Sequence, residues 1–315
     1  MSSNGEKNSL FKVGTLSNVA PVILFVYSRV IHTRRTIEAL SNNFLADSTD
    51  LIIYSDHQKS DDVREGVNEV REYIKNIVGF KSIKIYERSF NYGLSKSIIE
   101  GVTDTLKNYE RVIVLEDDLV TSRYFLTFMN EGLELYANSD NVISIHGYCF
   151  PTTNELPETF FLPGADCWGW ATWKKTWKIF EPDGNDLLNR LYLNNLTRGF
   201  DVENSYPFTE MLRSQVAGLI DSWAIRWYAS AFLSKKITLY PGQSLVRNIG
   251  NDRSGTHSAA TKIFDAKLST RHININTIPI EVSIDAMREY RNFLLNMQPR
   301  WKIIISKIFY FFYGR

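Results

Sequence analysis

Cysteine is nearly missing from this chain, with only Cys149 and Cys167 among 315 residues. They lack paired metal-ligand spacing, so neither a disulfide framework nor a structural zinc site is expected, and a reducing compartment fits best. Charge of one sign is missing too: 36 basic and 35 acidic side chains leave a net charge of +1. Without a basic stripe interleaved with aromatics, nucleic acid is not an expected partner. Residues 1–18 are polar, expected to be disordered, and hold no apolar h-region, so no secretory signal is read there. No internal repeat or low-complexity linker breaks the chain. No Gly-x-Gly-x-x-Gly follows the first strand-like run, which sets aside a dinucleotide-dependent oxidoreductase.

What is present is a hydrophobic content of 44%, enough for a substantial core. Strand-like runs at 21–27, 51–54, 82–86, 112–115, 142–146 and 237–240 alternate with helix-like segments at 33–40, 61–78, 97–106 and 124–136. That spacing predicts an α/β fold with a mostly parallel sheet flanked by helices and right-handed crossovers. Beyond residue 146 the regularity weakens into an elaborated half. There 160–177 reads as a Gly- and Trp-rich loop running into a helix, 186–206 as polar chain, and 208–233 as helical.

The run Val112, Ile113, Val114, Leu115 delivers Glu116, Asp117 and Asp118 to a strand end. Open α/β sheets place ligands at that end, and three adjacent carboxylates suit a hard divalent ion whose other positions are filled by substrate phosphates. The alternative is a solvated acidic turn capping the next helix. Of 7 tryptophans, four fall at Trp168, Trp170, Trp173 and Trp177. Trp173 and Trp177 are spaced as a core helix face, while Trp168 and Trp170 lie in a Gly-rich turn where rings could stack on sugar. Asn91 and Lys96 flank a turn opening a helix, a place that favours phosphate, although Gly93 is equally explained by a positive φ. His146, at a strand end, reads as a hydrogen-bonded interior residue.

With the acidic strand, Asp56, the tryptophan loop and Asp221 in view, the chain resembles the GT-A (Rossmann-like) glycosyltransferases, in particular the inverting branch that includes N-acetylglucosaminyltransferase I. The resemblance covers about residues 21–258. It implies that Asp118 is the direct ligand of Mn2+ (or Mg2+), while Glu116 and Asp117 contact the nucleotide sugar. It makes Ser28 and Arg29 the start of the nucleotide site, to which Asn91 and Lys96 are joined, and it sets Asp56 against the uracil. Pro163 to Trp170 resembles the family's Pro-Gly-x-Gly-Trp acceptor loop, lengthened here by Asp166, Cys167 and Trp168, and it nominates Trp168, Gly169, Trp170 and Trp223 for acceptor or sugar contact. Asp221-Ser222-Trp223 resembles Asp-Asp-Trp; since Ser222 replaces one acid, Asp221 is left as the catalytic base. Residues 245–257 resemble the loop that folds over the donor, with Arg253 and His257 reaching the diphosphate or the metal.

These readings divide the chain into a polar start (1–18), a GT-A domain (19–275) and a C-terminal helical tail (276–315). The tail's stretch 301–313 sets Trp301, Ile304, Ile305, Ile308 and Phe312 on one helical face. At ~1.5 Å per residue, about 15 residues reach only ~22 Å, short of a ~30 Å hydrocarbon core, so the tail either lies in a membrane interface or docks on protein. The expectation is a cytoplasmic, metal-dependent inverting glycosyltransferase, at the inner face of a membrane if the tail binds there. It would move sugar from a nucleoside-diphosphate donor to a glycan or lipid-linked oligosaccharide, as in bacterial O-antigen or capsule assembly. The rivals are a non-catalytic carbohydrate-binding relative and a metal-dependent nucleotidyltransferase or phosphatase.

Overall fold

The structure is a computed structural model that describes residues 18–252 and 261–297. Its first half is built from four β-α steps, of which the third strand is the exposed edge of the sheet. Strand β1 (Val22–Val26) leads through helix α1 (Val30–Ser41) to β2 (Asp50–Ser55), and α2 (Arg64–Ile74) leads to β3 (Ser82–Glu87). Helix α3 (Leu94–Asn108) then leads to β4 (Arg111–Glu116), and a short β5 (Leu119–Thr121) precedes α4 (Phe125–Leu135). The second half runs β6 (Val142–His146), β7 (Thr159–Pro163), β8 (Trp170–Trp173), α5 (Lys174–Trp177), α6 (Gly184–Leu193) and α7 (Thr197–Phe200). It continues with α8 (Phe208–Val216), α9 (Trp223–Leu233), β9 (Ile237–Pro241), β10 (Val246–Asn248) and α10 (Ile284–Met297).

One sheet orders eight strands as β3-β2-β1-β4-β8-β6-β9-β7. The strands β3, β2, β1, β4, β6 and β9 share one direction, while β8 and β7 run against it. The central strands are apolar throughout because both faces are covered. Alternation along them sorts the core: Val22, Leu24, Leu51, Ile53, Ile113 and Leu115 face the layer of α1, α2, α4 and α10. Ile23, Phe25, Ile52, Val112 and Val114 face α3, α5 and α9 instead. A third cluster joins α6, α7 and α8 to α9 through Leu187, Leu191, Phe200, Leu212 and Ile225.

The expected α/β fold with its mostly parallel sheet is present. Several local expectations are corrected. The region 160–177, expected as a loop running into a helix, keeps a loop at 164–169 and the helix α5 but also carries two strands, β7 and β8, with β8 inserted antiparallel between β4 and β6. The segment 186–206 carries two helices, and 208–233 is split at 217–222, where Gly218 has φ +71° and Ser222 caps α9 by accepting from Ile225 N at 3.3 Å. Within the described part of the tail, α10 lies on β7, and its Phe293 stacks on Phe150 at 5.6 Å. Residues 301–313 lie outside the described residues.

Candidate functional site

Parallel strands bring their C-terminal ends to one edge, and β4 ends there in the acidic residues. Asp117 and Asp118 form a turn held from both sides: the Thr36 hydroxyl of α1 donates to Asp117 O at 2.8 Å, and Ile249 N donates to Asp118 O at 2.9 Å. Arg29, in the turn after β1, reaches across with one nitrogen. Its Nη2 lies 2.5 Å from Asp117 Oδ1 and 2.8 Å from Asp118 Oδ2. Gly250 closes the far wall, where any Cβ would collide with Asp118 Oδ2. With glycine there, the backbone comes against the carboxylate without displacing it.

Burial dominates the electrostatics. It pushes the Glu116 carboxyl up to about 8, reinforced by Asp118 and Asp117 and opposed by Arg29. It also pushes Asp117 up to about 6, here against Arg29 and with Asp118. Burial disfavours the Arg29 charge, but Asp117 and Asp118 together outweigh it and hold the guanidinium above its ordinary pKa. Two buried atoms of this cluster, Asp117 Oδ2 and Arg29 Nη1, have no hydrogen-bond partner. An unsatisfied buried carboxylate oxygen beside an all-oxygen donor set suits a hard divalent cation. Among the described residues no group of three or more His, Cys, Asp or Glu is arranged to hold a metal by itself. Protein ligands would therefore be few, as they are where substrate phosphates complete the shell.

Asp56 sits at the end of β2, but its role differs from the expected uracil contact. Its Oδ1 accepts from His57 N and Tyr92 N, both at 2.9 Å, and its Oδ2 from Gly93 N at 2.9 Å and Asn91 Nδ2 at 3.1 Å. Both oxygens are filled by this chain's own donors, so Asp56 is the clamp of the 91–93 turn that opens α3. Asn91 is spent the same way, donating also to His57 O at 2.6 Å. Lys96, exposed in the first turn of α3, stands over the Tyr92 ring at 4.4 Å. Ser28 is half-buried in the turn before α1, its carbonyl against Gly66.

Asp221 precedes α9 and is not its cap, since Ser222 takes that place. Its carboxylate is exposed and points to the same edge, with Oδ2 3.9 Å from where a Gly93 Cβ would stand. Arg226 Nη2 lies 3.8 Å from Asp221 Oδ1 and donates to Ser95 Oγ at 2.6 Å, tying α9 to the start of α3.

The tryptophans separate. Trp168 is half-buried, edge-on to Tyr148 at 4.8 Å and Phe264 at 5.2 Å. Trp170 and Trp223 are 0% and 3% exposed and stack at 5.4 Å within a cluster containing Trp177 and Trp227. Neither ring has a face for a sugar, which corrects that expectation: they form core between β8 and α9. Gly169 is also architectural, with φ +67° and its Cβ position 2.7 Å from Val246 Cγ2. Arg253 and His257 lie outside the described residues. The flanks of their segment meet close by, Thr261 N donating to Asn251 O at 3.3 Å while His32 Nε2 pairs with Asp252 Oδ2 at 3.1 Å.

Two residues to which the sequence assigns no site role, His146 and Asp166, meet beside this edge. Register Val114↔Trp170 and His146↔Trp170 sets the 164–169 loop against the ends of β4 and β6. There His146 is fully buried and neither ring nitrogen is hydrogen-bonded, contrary to the expected interior hydrogen bond, while Asp166 Oδ2 stands 3.7 Å away. Burial lowers the His146 pKa, with Asp166 opposing. The signal was a histidine ending an otherwise apolar strand, paired with an acid only through register.

No family model matches the chain, and no curated protein matches it in sequence. Among solved structures, the 1–349 portion of S. aureus TarS shares a TM-score of 0.38 and 11% identity, over 72% of this chain and 59% of that one. A mannosyltransferase from Pyrobaculum calidifontis, solved with GDP-Man and Mn2+, gives 0.30 and 11% over 43% of this chain and 37% of its own. A protein described as a glucose-1-phosphate thymidylyltransferase of Bacillus anthracis gives 0.30 and 14% over 52% and 76%. Likeness at this level carries no argument about this chain.

Proposed function

We propose that this chain is a metal-dependent inverting glycosyltransferase that uses a nucleoside-diphosphate sugar, UDP-linked, and delivers the sugar to a glycan or lipid-linked oligosaccharide. The observation that carries the reading is the acidic turn at the end of β4, with its unpartnered Asp117 oxygen, its Arg29 and its glycine wall. The resemblance stated for the sequence supports it. Asp118 would hold Mn2+ or Mg2+, which when bound stabilises negative charge on the departing diphosphate. Arg29, with the exposed Lys96 at the start of α3, orients the donor, and Asp221, on the same edge, takes the proton of the attacking acceptor hydroxyl. That oxygen bonds to the anomeric carbon as the carbon–oxygen bond to phosphate breaks, its electron pair leaving with the nucleotide. No covalent protein intermediate is needed. Arg253 and His257 are assigned to closure over the donor, and a membrane-side glycan acceptor is consistent with the composition of residues 301–313.

The test is release of UDP from a panel of UDP-sugars with and without Mn2+, in wild type, Asp118→Ala and Asp221→Asn. Metal-dependent release is expected, with a loss of about 100-fold or more in each variant. Release of pyrophosphate would indicate a nucleotidyltransferase, and glycan binding without UDP release would indicate a carbohydrate-binding protein.

A further inference from the structure

Arg29 already occupies the place where a cation would neutralise the acidic turn. One guanidinium nitrogen bridges Asp117 and Asp118, at 2.5 and 2.8 Å. The turn cannot easily withdraw from it: Thr36 and Ile249 hold its carbonyls, and Gly250 closes over Asp118 Oδ2. The mobile partner is the arginine, on a flexible stem whose side chain is 20% exposed against 8% for Asp117. Two buried atoms of the cluster, Arg29 Nη1 and Asp117 Oδ2, have no hydrogen-bond partner. The first calls for an anion and the second for a cation.

A divalent ion on Asp118 Oδ2 would share that oxygen with the guanidinium, and like charges at such range in a desolvated site repel strongly. Arg29 must then leave Asp118, and it leaves readily only toward another anion. A diphosphate offers pairs of oxygens for bidentate acceptance, which the planar guanidinium fork of arginine fits better than lysine. We infer that Arg29 is an internal counter-cation that competes with the metal when no nucleotide is present and transfers to the diphosphate when both enter. Metal and nucleotide thereby bind cooperatively through this one side chain, and the coupling is reciprocal. The inference rests on the nucleotide-donor reading above and adds to it the origin of metal dependence.

Two opposed effects follow from removing Arg29. Mn2+ binding to the full chain is followed by electron paramagnetic resonance of free Mn2+, with no turnover, alone and with saturating UDP. In wild type, UDP is expected to tighten Mn2+ at least tenfold. In Arg29→Gln, Mn2+ alone is expected to bind at least fivefold tighter than in wild type, while UDP binds more weakly and the coupling falls below about twofold. Arg29→Lys retains the charge without the fork and should fall between. Unchanged or weaker Mn2+ binding in Arg29→Gln, with the coupling kept, overturns the inference and leaves the glycosyltransferase reading standing. So does a wild type that binds Mn2+ equally well without UDP, a result independent of how any variant folds. A wild type that binds Mn2+ in neither condition overturns both.

Discussion

At Asp56, the backbone N–H groups of Tyr92 and Gly93 converge on one carboxylate that is only 8% exposed. Replacing it with asparagine turns an NH2 group toward donors already aimed at that position. A buried donor left unsatisfied costs about 1–3 kcal/mol, so Asp56→Asn should lower unfolding stability by about that amount. Urea denaturation checks it. Nucleotide affinity should fall only as far as the 91–93 turn loosens, and a variant of wild-type stability that had lost nucleotide binding would make Asp56 a direct base contact instead. An acid at the end of β2 was legible in the sequence; the return of residues 91–93 to it, across β3, was not. Ser222 shows the converse. Read as a missing acid, it is the cap of α9, and a cap there leaves the neighbouring Asp221 free of that duty.

The strands legible in the sequence are β1, β2, β4, β6 and β9, short apolar runs between turn signals of the kind that buried strands impose, and the exposed edge strand β3, marked by its alternation of Ile83 and Ile85 with polar neighbours. β8 defeated that reading. Its four residues lie between β4 and β6 with both faces covered, so no apolar–polar alternation marks them, and glycines just before them look like a loop. The three-residue pair β5–β10 is too brief to leave any period. The acidic strand end was legible because its cost is local, whereas the closing of Trp170 into a four-tryptophan cluster depends on α5 and α9 arriving from elsewhere. Trp170→Ala should therefore cost about 3–5 kcal/mol of unfolding free energy, the range for a fully buried aromatic. A guanidinium melt showing wild-type stability, with only acceptor affinity impaired, would return Trp170 to the sugar.

For the whole molecule, the acidic edge makes stability depend on pH in a direction opposite to that of ordinary surface carboxylates. Burial pushes the Glu116 carboxyl up to about 8 in the folded protein, from 4.5 for the unperturbed group, and Asp117 up to about 6, from 3.8. Between those values the folded state binds more protons than the unfolded one, so stability falls as pH rises, and the full penalty is reached above the folded pKa. His146 acts in the other direction at lower pH: with its folded pKa held below 6.5, unfolding takes up a proton in acid, and stability rises as pH climbs to that value. Glu116 therefore dominates at about pH 6.5 to 8, below the range in which the Cys149 and Cys167 thiols, both raised by burial, add a loss of the same sign. In EDTA, unfolding free energy from urea melts should fall across that interval by on the order of 1–3 kcal/mol, and Glu116→Gln should remove most of the slope. Saturating Mn2+ with UDP should flatten it as well, because cations then keep the carboxylates ionised and stabilise the folded state at high pH. A wild-type curve already flat in EDTA would mean that water reaches Glu116 freely, and that the edge is a solvated acidic turn with no need of a cation.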